Sequence, residues 1–160
     1  MIRVQGEDFD AGAEIARFTS GRTDIGAVAS FLGLVRDERS PGSPGLVAMT
    51  LEHYPGMTER QLSDIEAEAR RRWPIEDCLI IHRHGRLRPG ERIVLVLTAS
   101  SHRAAALESC AFLIDWLKTR APFWKREETE AGERWVEAKS LDDTAAERWN
   151  DGVAERWNDG

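Results

Sequence analysis

At 160 residues and 18.0 kDa the chain has room for one domain with a proper core, and nothing in its composition marks a division into two. With 41% hydrophobic and 31% charged residues it reads as a soluble globular protein, and no apolar run approaches the roughly 20 residues that cross a bilayer. The formal net charge of −6 argues against broad nucleic-acid binding, which needs a basic face.

The N-terminal Met1-Ile2-Arg3-Val4-Gln5-Gly6-Glu7-Asp8 lacks the basic start and apolar run of a secretory signal, reads as a first strand, and implies a cytoplasmic protein. A helix is predicted from about Asp10, a good N-cap, with Ile15 and Phe18 turned inward and an end at Gly21. Residues 26–36 read as a strand whose internal Gly33 signals a bulge or a close backbone approach and whose last residue is Arg36. The run Ser40-Pro41-Gly42-Ser43-Pro44-Gly45 is a loop by composition. Alternation follows, with Val47, Met49 and Leu51 assigned to one face of a strand and Ala48, Thr50 and Glu52 to the other.

Thr58-Glu59-Arg60-Gln61 is a capping-box pattern that opens a second helix, which buries Leu62, Ile65, Ala69 and Trp73 and stops at Pro74. Arg70-Arg71-Arg72 is expected to be its solvated end, where positive charge suits the helix dipole. Residues 78–81 and 93–97 are continuous apolar strands, expected to be central and joined through the turn signal Arg88-Pro89-Gly90-Glu91. A third helix spans residues 104–118, and residues 134–138 supply a last strand. The expected fold is a single α+β domain with a mixed, largely antiparallel sheet and three main helices. Residues 1–149 form that domain. Residues 146–152 recur as 154–160, so 150–160 read as a duplicated C-terminal tail without a catalytic role.

On the third helix, Leu107, Cys110, Ala111, Ile114 and Leu117 fall on one side at 100° per residue, and Lys118 falls within that stripe. Lys118 is therefore expected to point toward the core or a cleft in it, as a candidate acid, base or nucleophile. The alternative is a lysine that snorkels to water from the helix's negative end. Lys118, Arg120, Lys125 and Arg126 form a basic cluster in an acidic protein, which suggests a small anionic ligand. His102 and Arg103 sit at a strand-to-helix junction, where helix amides also face anions; either a phosphate binds there or His102 simply caps the junction. Arg36 is either an ion-pair partner or a further anion ligand.

His82 and His84 lack the converging ligands of a zinc site, and Cys78 and Cys110 read as core residues in a reducing compartment, so neither a metal nor a cofactor is called for. There is no Walker A loop, no G-x-G-x-x-G, no G-x-S-x-G elbow and no cysteine placed as an activated nucleophile. A basic site remains, suited to a phosphorylated substrate, with lysines that transfer protons or hold an acyl partner. Two other classes compete. One is a non-catalytic module binding a partner's C-terminal tail, and the other is a phosphate-ester hydrolase, which would need a water activator and a metal.

Several segments, in order over residues 1–149, together resemble the large, catalytic subunit of molybdopterin synthase, the MoaE-like family. They are Gly26-Ala27 through Phe31-Leu32-Gly33-Leu34-Val35-Arg36, Leu51-Glu52-His53-Tyr54-Pro55-Gly56-Met57, Ile81-His82-Arg83-His84-Gly85, Ser101-His102-Arg103, and Leu117-Lys118-Thr119-Arg120-Ala121-Pro122-Phe123-Trp124-Lys125-Arg126-Glu127. The resemblance implies an α/β-hammerhead type of fold and a sulfurtransferase activity in molybdenum cofactor biosynthesis. A small ubiquitin-like subunit would insert a C-terminal thiocarboxylate, whose sulfur passes to cyclic pyranopterin monophosphate to build the molybdopterin dithiolene. It further implies that Arg36, His102 and Arg103 hold the phosphate and pterin, with the backbone of Leu34 and Val35 lining the site. Lys118 would lie beside the thiocarboxylate and Lys125 beside the reacting carbons, with Arg126 and Glu127 completing the pocket. The large subunit would form a homodimer, giving a heterotetramer with two small subunits, and part of one pocket would come from the neighbouring chain.

Overall fold

The computed structural model describes residues 1–37, 40–136 and 140–150. Along the chain run β1 (Ile2–Gln5), α1 (Ala11–Thr19), β2 (Ala27–Leu34), β3 (Leu46–His53), α2 (Met57–Arg72) and β4 (Asp77–Arg83). They are followed by β5 (Gly85–Leu87), β6 (Arg92–Ser100), α3 (Arg103–Arg120), β7 (Phe123–Thr129), β8 (Gly132–Val136) and α4 (Ser140–Glu147). The α+β character and largely antiparallel pairing are as expected, but the strands divide between two four-stranded sheets, ordered β1-β4-β6-β2 and β5-β3-β7-β8. Among the described residues, only β1 with β4 is parallel.

The central strands β4 and β6 of the first sheet are covered on both faces, which is why they read as continuous apolar runs, whereas β2 exposes Ser30, Leu32 and Leu34. Cys78, Ile80, Val94 and Val96 face α2 and α3, where Leu62, Ile65, Phe112 and Leu113 fill the main core. Leu79, Ile81, Leu95 and Leu97 face the other way, against Phe9, Ile15 and Phe18 beside α1. Burial pushes the Cys78 and Cys110 thiols up to about 12 and about 11, so both are inert core groups. Asp10 caps α1, its Oδ1 accepting from the Ala13 N–H at 2.9 Å. Gly33 combines both features foreseen for it: the register shifts between it and Leu34, and an added Cβ would lie 2.6 Å from Val94 Cγ1.

Several expectations are corrected. The second helix starts two residues earlier than the capping box suggested, because Glu59 reaches back to accept from the Gly56 N–H at 2.6 Å, while Thr58 lies fully buried within the first turn. Thr58 Oγ1 instead accepts from the Tyr54 N–H and donates to the Pro122 carbonyl. The third helix is buried around most of its circumference, between the first sheet and α2 and α4, so its one-sided stripe dissolves and Leu107 is 63% exposed. In the arginine run, Arg70 and Arg71 pair with Glu66 and Glu68 near the surface, but Arg72 turns inward over the Phe112 ring and donates to the Trp149 carbonyl. Trp149 itself is buried against Trp73 and Phe112, so the first repeat copy, up to Asn150, belongs to the domain. Residues 137 and 138 of the expected last strand, and 151–160 of the duplicated tail, lie outside the described residues.

Candidate functional site

The two sheets meet at a short strand change: β4 ends at Arg83, His84 intervenes, and Gly85, at φ +92°, starts β5 in the second sheet. At this junction opens a cleft of about 460 Å³ whose lining comes from both sheets and from the last turn of α3. One wall is apolar, formed by Leu46, Met49 and Leu51 of β3 with Val35 and Ile93, and it belongs to a small separate core cluster. Lys118, Lys125, Glu127, Arg36 and His82 supply the polar lining.

The register of β3 with β7 explains this wall. Leu51 pairs with Lys125 and Met49 with Glu127, so all four side chains leave one face of the sheet together. The period-2 pattern expected to carry Val47 to that face fails, because the register shifts between Leu46 and Ala48. Val47 is the extra residue of a bulge and is exposed, and Leu46 takes the inward place in its stead. Glu127 is buried, held by Arg134 through Nε at 3.1 Å and Nη2 at 2.8 Å, and its other oxygen lies 3.8 Å from Lys125 Nζ. An anchored carboxylate thus stands beside one of the two cleft lysines.

Lys118 is exposed and lines the cleft from α3, whose next residues turn through Ala121 and Pro122 into β7 and carry Lys125 to the facing strand. Seven residues apart in sequence, the two lysines reach one cavity from different layers. Both alternatives for Lys118 are partly realised: its head is in solvent, and that solvent fills the cleft.

Other candidates are placed elsewhere. Arg126, between Lys125 and Glu127 on β7, faces the opposite side of the sheet, where its guanidinium lies 5.8 Å from the Trp135 ring and 3.6 Å from Glu133. Strand alternation alone separates it from its neighbours. Arg120 stacks on Trp116 at 3.8 Å. His102 and Arg103 are exposed at the start of α3, and His102 makes no side-chain capping bond. Along the helix, at about 1.5 Å per residue, Arg103 and Lys118 are roughly 22 Å apart. This chain does not bring them into the same cleft. Val35 offers a side chain more than a backbone: its N–H donates to the Glu91 carbonyl and its carbonyl accepts from the Gly90 N–H.

His82 lines the cleft without having been singled out for it. Its ring stacks on Phe123 at 3.7 Å between centroids, and Nδ1 lies 2.8 Å from the Arg83 carbonyl oxygen. Burial, reinforced by the charges that His53 and His84 would carry, lowers its pKa from 6.5 to about 4, so it is neutral at pH 7. The signal was available: His82 continues the alternation of Cys78 and Ile80 on β4. Among the described residues, no group of three or more His, Cys, Asp or Glu side chains is placed to hold a metal ion. A larger cavity of about 580 Å³ lies between α1 and the β1–β4 edge, but its arginines are already paired, Arg3 and Arg17 with Glu14 and Arg22 with Asp24 and Asp77.

The family model described as MoaE protein matches residues 4–120. The chain belongs to the MoaE family. It is 55% identical over 150 residues to the molybdopterin synthase catalytic subunit of Mesorhizobium japonicum, covering 92% of each chain. Its fold is similar to that of the molybdopterin biosynthesis MoaE protein from Burkholderia ambifaria, with a TM-score of 0.80 and 53% identity over 95% of this chain and 99% of that one. The MoaE fold persists at 17% identity in the complex of subunits 1 and 2 of molybdopterin-converting factor from Helicobacter pylori, with a TM-score of 0.71 over 86% of this chain and 91% of that one. The matched segment 4–120 takes in Arg36, His82 and Lys118 and stops just before Lys125.

Proposed function

We propose that this chain is the catalytic subunit of a molybdopterin synthase, acting in the cytoplasm to transfer sulfur from a small ubiquitin-like subunit to cyclic pyranopterin monophosphate. The observation that carries the reading is the convergence of Lys118 and Lys125 on one cleft of a MoaE-family chain. Among the described residues the cleft lining includes no cysteine, serine or threonine to serve as an attacking group, and the chemistry needs none. A thiocarboxylate is already a competent sulfur nucleophile, so the protein's part is placement and charge compensation, which together supply roughly 7–11 kcal/mol when geometry is good.

In this reading the small subunit's C-terminal tail enters the cleft along the apolar wall and sets its thiocarboxylate beside Lys118. The thiocarboxylate sulfur adds to an electrophilic carbonyl carbon of the substrate, whose oxygen takes up a proton and departs as water together with a proton from the neighbouring carbon, leaving a thioester between substrate and tail; a second water then cleaves the acyl–sulfur bond, leaving sulfur on the substrate and an ordinary carboxylate on the tail. Lys125, held by Glu127, stands at the reacting carbons and moves the proton each addition requires. Arg36 compensates the substrate phosphate. The separation of Arg103 from Lys118 supports a homodimer in which His102 and Arg103 reach each cleft from the second copy, within a heterotetramer.

The test mixes the purified chain with a thiocarboxylated small subunit and cyclic pyranopterin monophosphate, with Lys118→Ala as control. Dithiolene product from the intact chain alone is the expected result. Complex formation without product would replace this reading with that of a tail-binding module.

A further inference from the structure

His82 stands apart from the other polar groups of the cleft because its orientation is fixed on three sides. Phe123 covers one face of the ring, with an interplanar angle of 17°, and the residue is only 5% exposed. The Arg83 carbonyl is an acceptor, so the proton on the imidazole must sit on Nδ1 to make the 2.8 Å bond. That leaves Nε2 with a lone pair and no proton. Among the described residues Nε2 has no hydrogen-bond partner, yet it is not one of the sealed, unpartnered atoms, which are Arg3 Nε, Trp116 Nε1 and Arg126 Nε. It therefore keeps some contact with solvent, and His82 lines the cleft.

We propose that His82 is a specificity-determining residue of the cleft, whose Nε2 accepts a hydrogen bond from an N–H donor of the bound pterin ring. The inference rests on the sulfur-transfer reading and deepens it. The remaining polar lining, Lys118, Lys125 and Arg36, consists of donors suited to anions, with Glu127 already committed to Arg134 and Lys125. A pterin carries N–H groups as well as a phosphate, and a site built only of cations would bind any small phosphate ester. A fixed, uncharged acceptor is what separates a ring with a donor edge from the rest, because a buried acceptor left unpaired penalises the wrong ligand.

Two substitutions divide the two ring nitrogens. His82→Asn keeps an N–H near the Nδ1 position, and with it the bond to Arg83, but removes the acceptor at Nε2. His82→Gln places an amide near Nε2 and gives up the bond to Arg83. Both lose the stack on Phe123 equally. Binding of cyclic pyranopterin monophosphate is measured by calorimetry, turnover with the thiocarboxylated small subunit, and the thermal midpoint in parallel. The expected result is a crossing of rank orders: Asn is the more stable variant, while Gln binds substrate at least tenfold more tightly than Asn, with the difference in KM rather than kcat. Inorganic phosphate, used as a competitor, should bind both variants alike. Substrate affinities that follow the order of the thermal midpoints would show a packing role only and overturn the proposal. Failure of the sulfur-transfer reading itself is seen separately, as absence of product with the unsubstituted chain.

Discussion

Trp149 donates its indole N–H to Asp115 Oδ2 at 2.7 Å, tying the segment after α4 to α3 three residues before Lys118. Arg148 donates to the same oxygen, and Arg72 holds the Trp149 carbonyl. Trp149→Ala is expected to lower stability by about 3–5 kcal/mol, the range for emptying a buried aromatic site. Trp149→Phe, which keeps much of the volume and loses the N–H, should cost about 1 kcal/mol. Urea unfolding of the two variants reads the difference, and equal losses would mean that Trp149 contributes only its hydrogen bond.

Lys118 is exposed, so its removal should leave the fold intact. Lys118→Ala is expected to lower kcat by about 10²–10³, the range for removing one charge-stabilising donor beside the reacting group, with an unchanged thermal midpoint and unchanged affinity for the small subunit. Near-normal turnover would remove Lys118 from the mechanism.

Lys125 and Arg126 are adjacent cations on opposite faces of β7. Lys125→Ala should abolish most turnover, whereas Arg126→Ala should change kcat/KM by less than about threefold, because that side chain lies on Trp135 and away from the cleft. Comparable losses in the two variants would contradict the strand orientation.

If His102 and Arg103 serve the cleft of a second copy, two impaired chains should repair each other. Arg103→Ala alone is expected to weaken substrate binding. Mixed after unfolding and refolding with Lys118→Ala, it should recover about a quarter of normal activity, since random pairing leaves one intact site in half of the dimers. No recovery would place all the site residues in one chain.

Stability should fall as pH drops from about 6.5 toward 4. His82 titrates near 6.5 when unfolded and at about 4 in the fold, so across that window the unfolded chain binds more protons and gains on the folded one. By pH 5 the loss is about 2 kcal/mol from this group alone. His53 and His84, packed 4.3 Å apart beside it, act in the same direction on His82 when they charge. Asp8 and Asp24, held at about 2 by Arg92 and Arg22, act mainly below pH 5, beneath the range compared. Urea midpoints at pH 7.5 and 5 measure the effect, and His82→Asn should flatten it.

The sequence carried the elements better than their orientation. Continuous apolar runs identified β4 and β6 as central because a doubly covered strand has no polar face. Gly33 announced its close approach, since any side chain there would have to push Val94 and Phe31 aside. Leu107 was misjudged because an apolar stripe reports the face of a half-buried helix, and α3 is covered on more than one side. Val47 was misjudged because a single bulge reverses the parity of everything before it. The site followed the same logic. Lys118 and Lys125 were legible as a motif, while the partition of Lys125 from Arg126 depends on strand parity; alternation on β4 gave the face of His82, but its stack on Phe123, 41 residues away, has no local signal.

The cleft lysines belong to different layers, and the second sheet is fastened at that point by the small cluster of Val35, Met49, Leu51 and Leu87 and by the stack of Phe123 on His82. The main core, by contrast, runs from Ala29 to Trp149. A protein built this way can lose its catalytic geometry through a partial opening that leaves its tryptophan-rich core undisturbed. Catalytic competence should therefore decline at lower denaturant than core fluorescence, and amide protons of β3 and β7 should exchange before those of β4 and β6. Enzymatic output is the more sensitive gauge of this molecule's integrity.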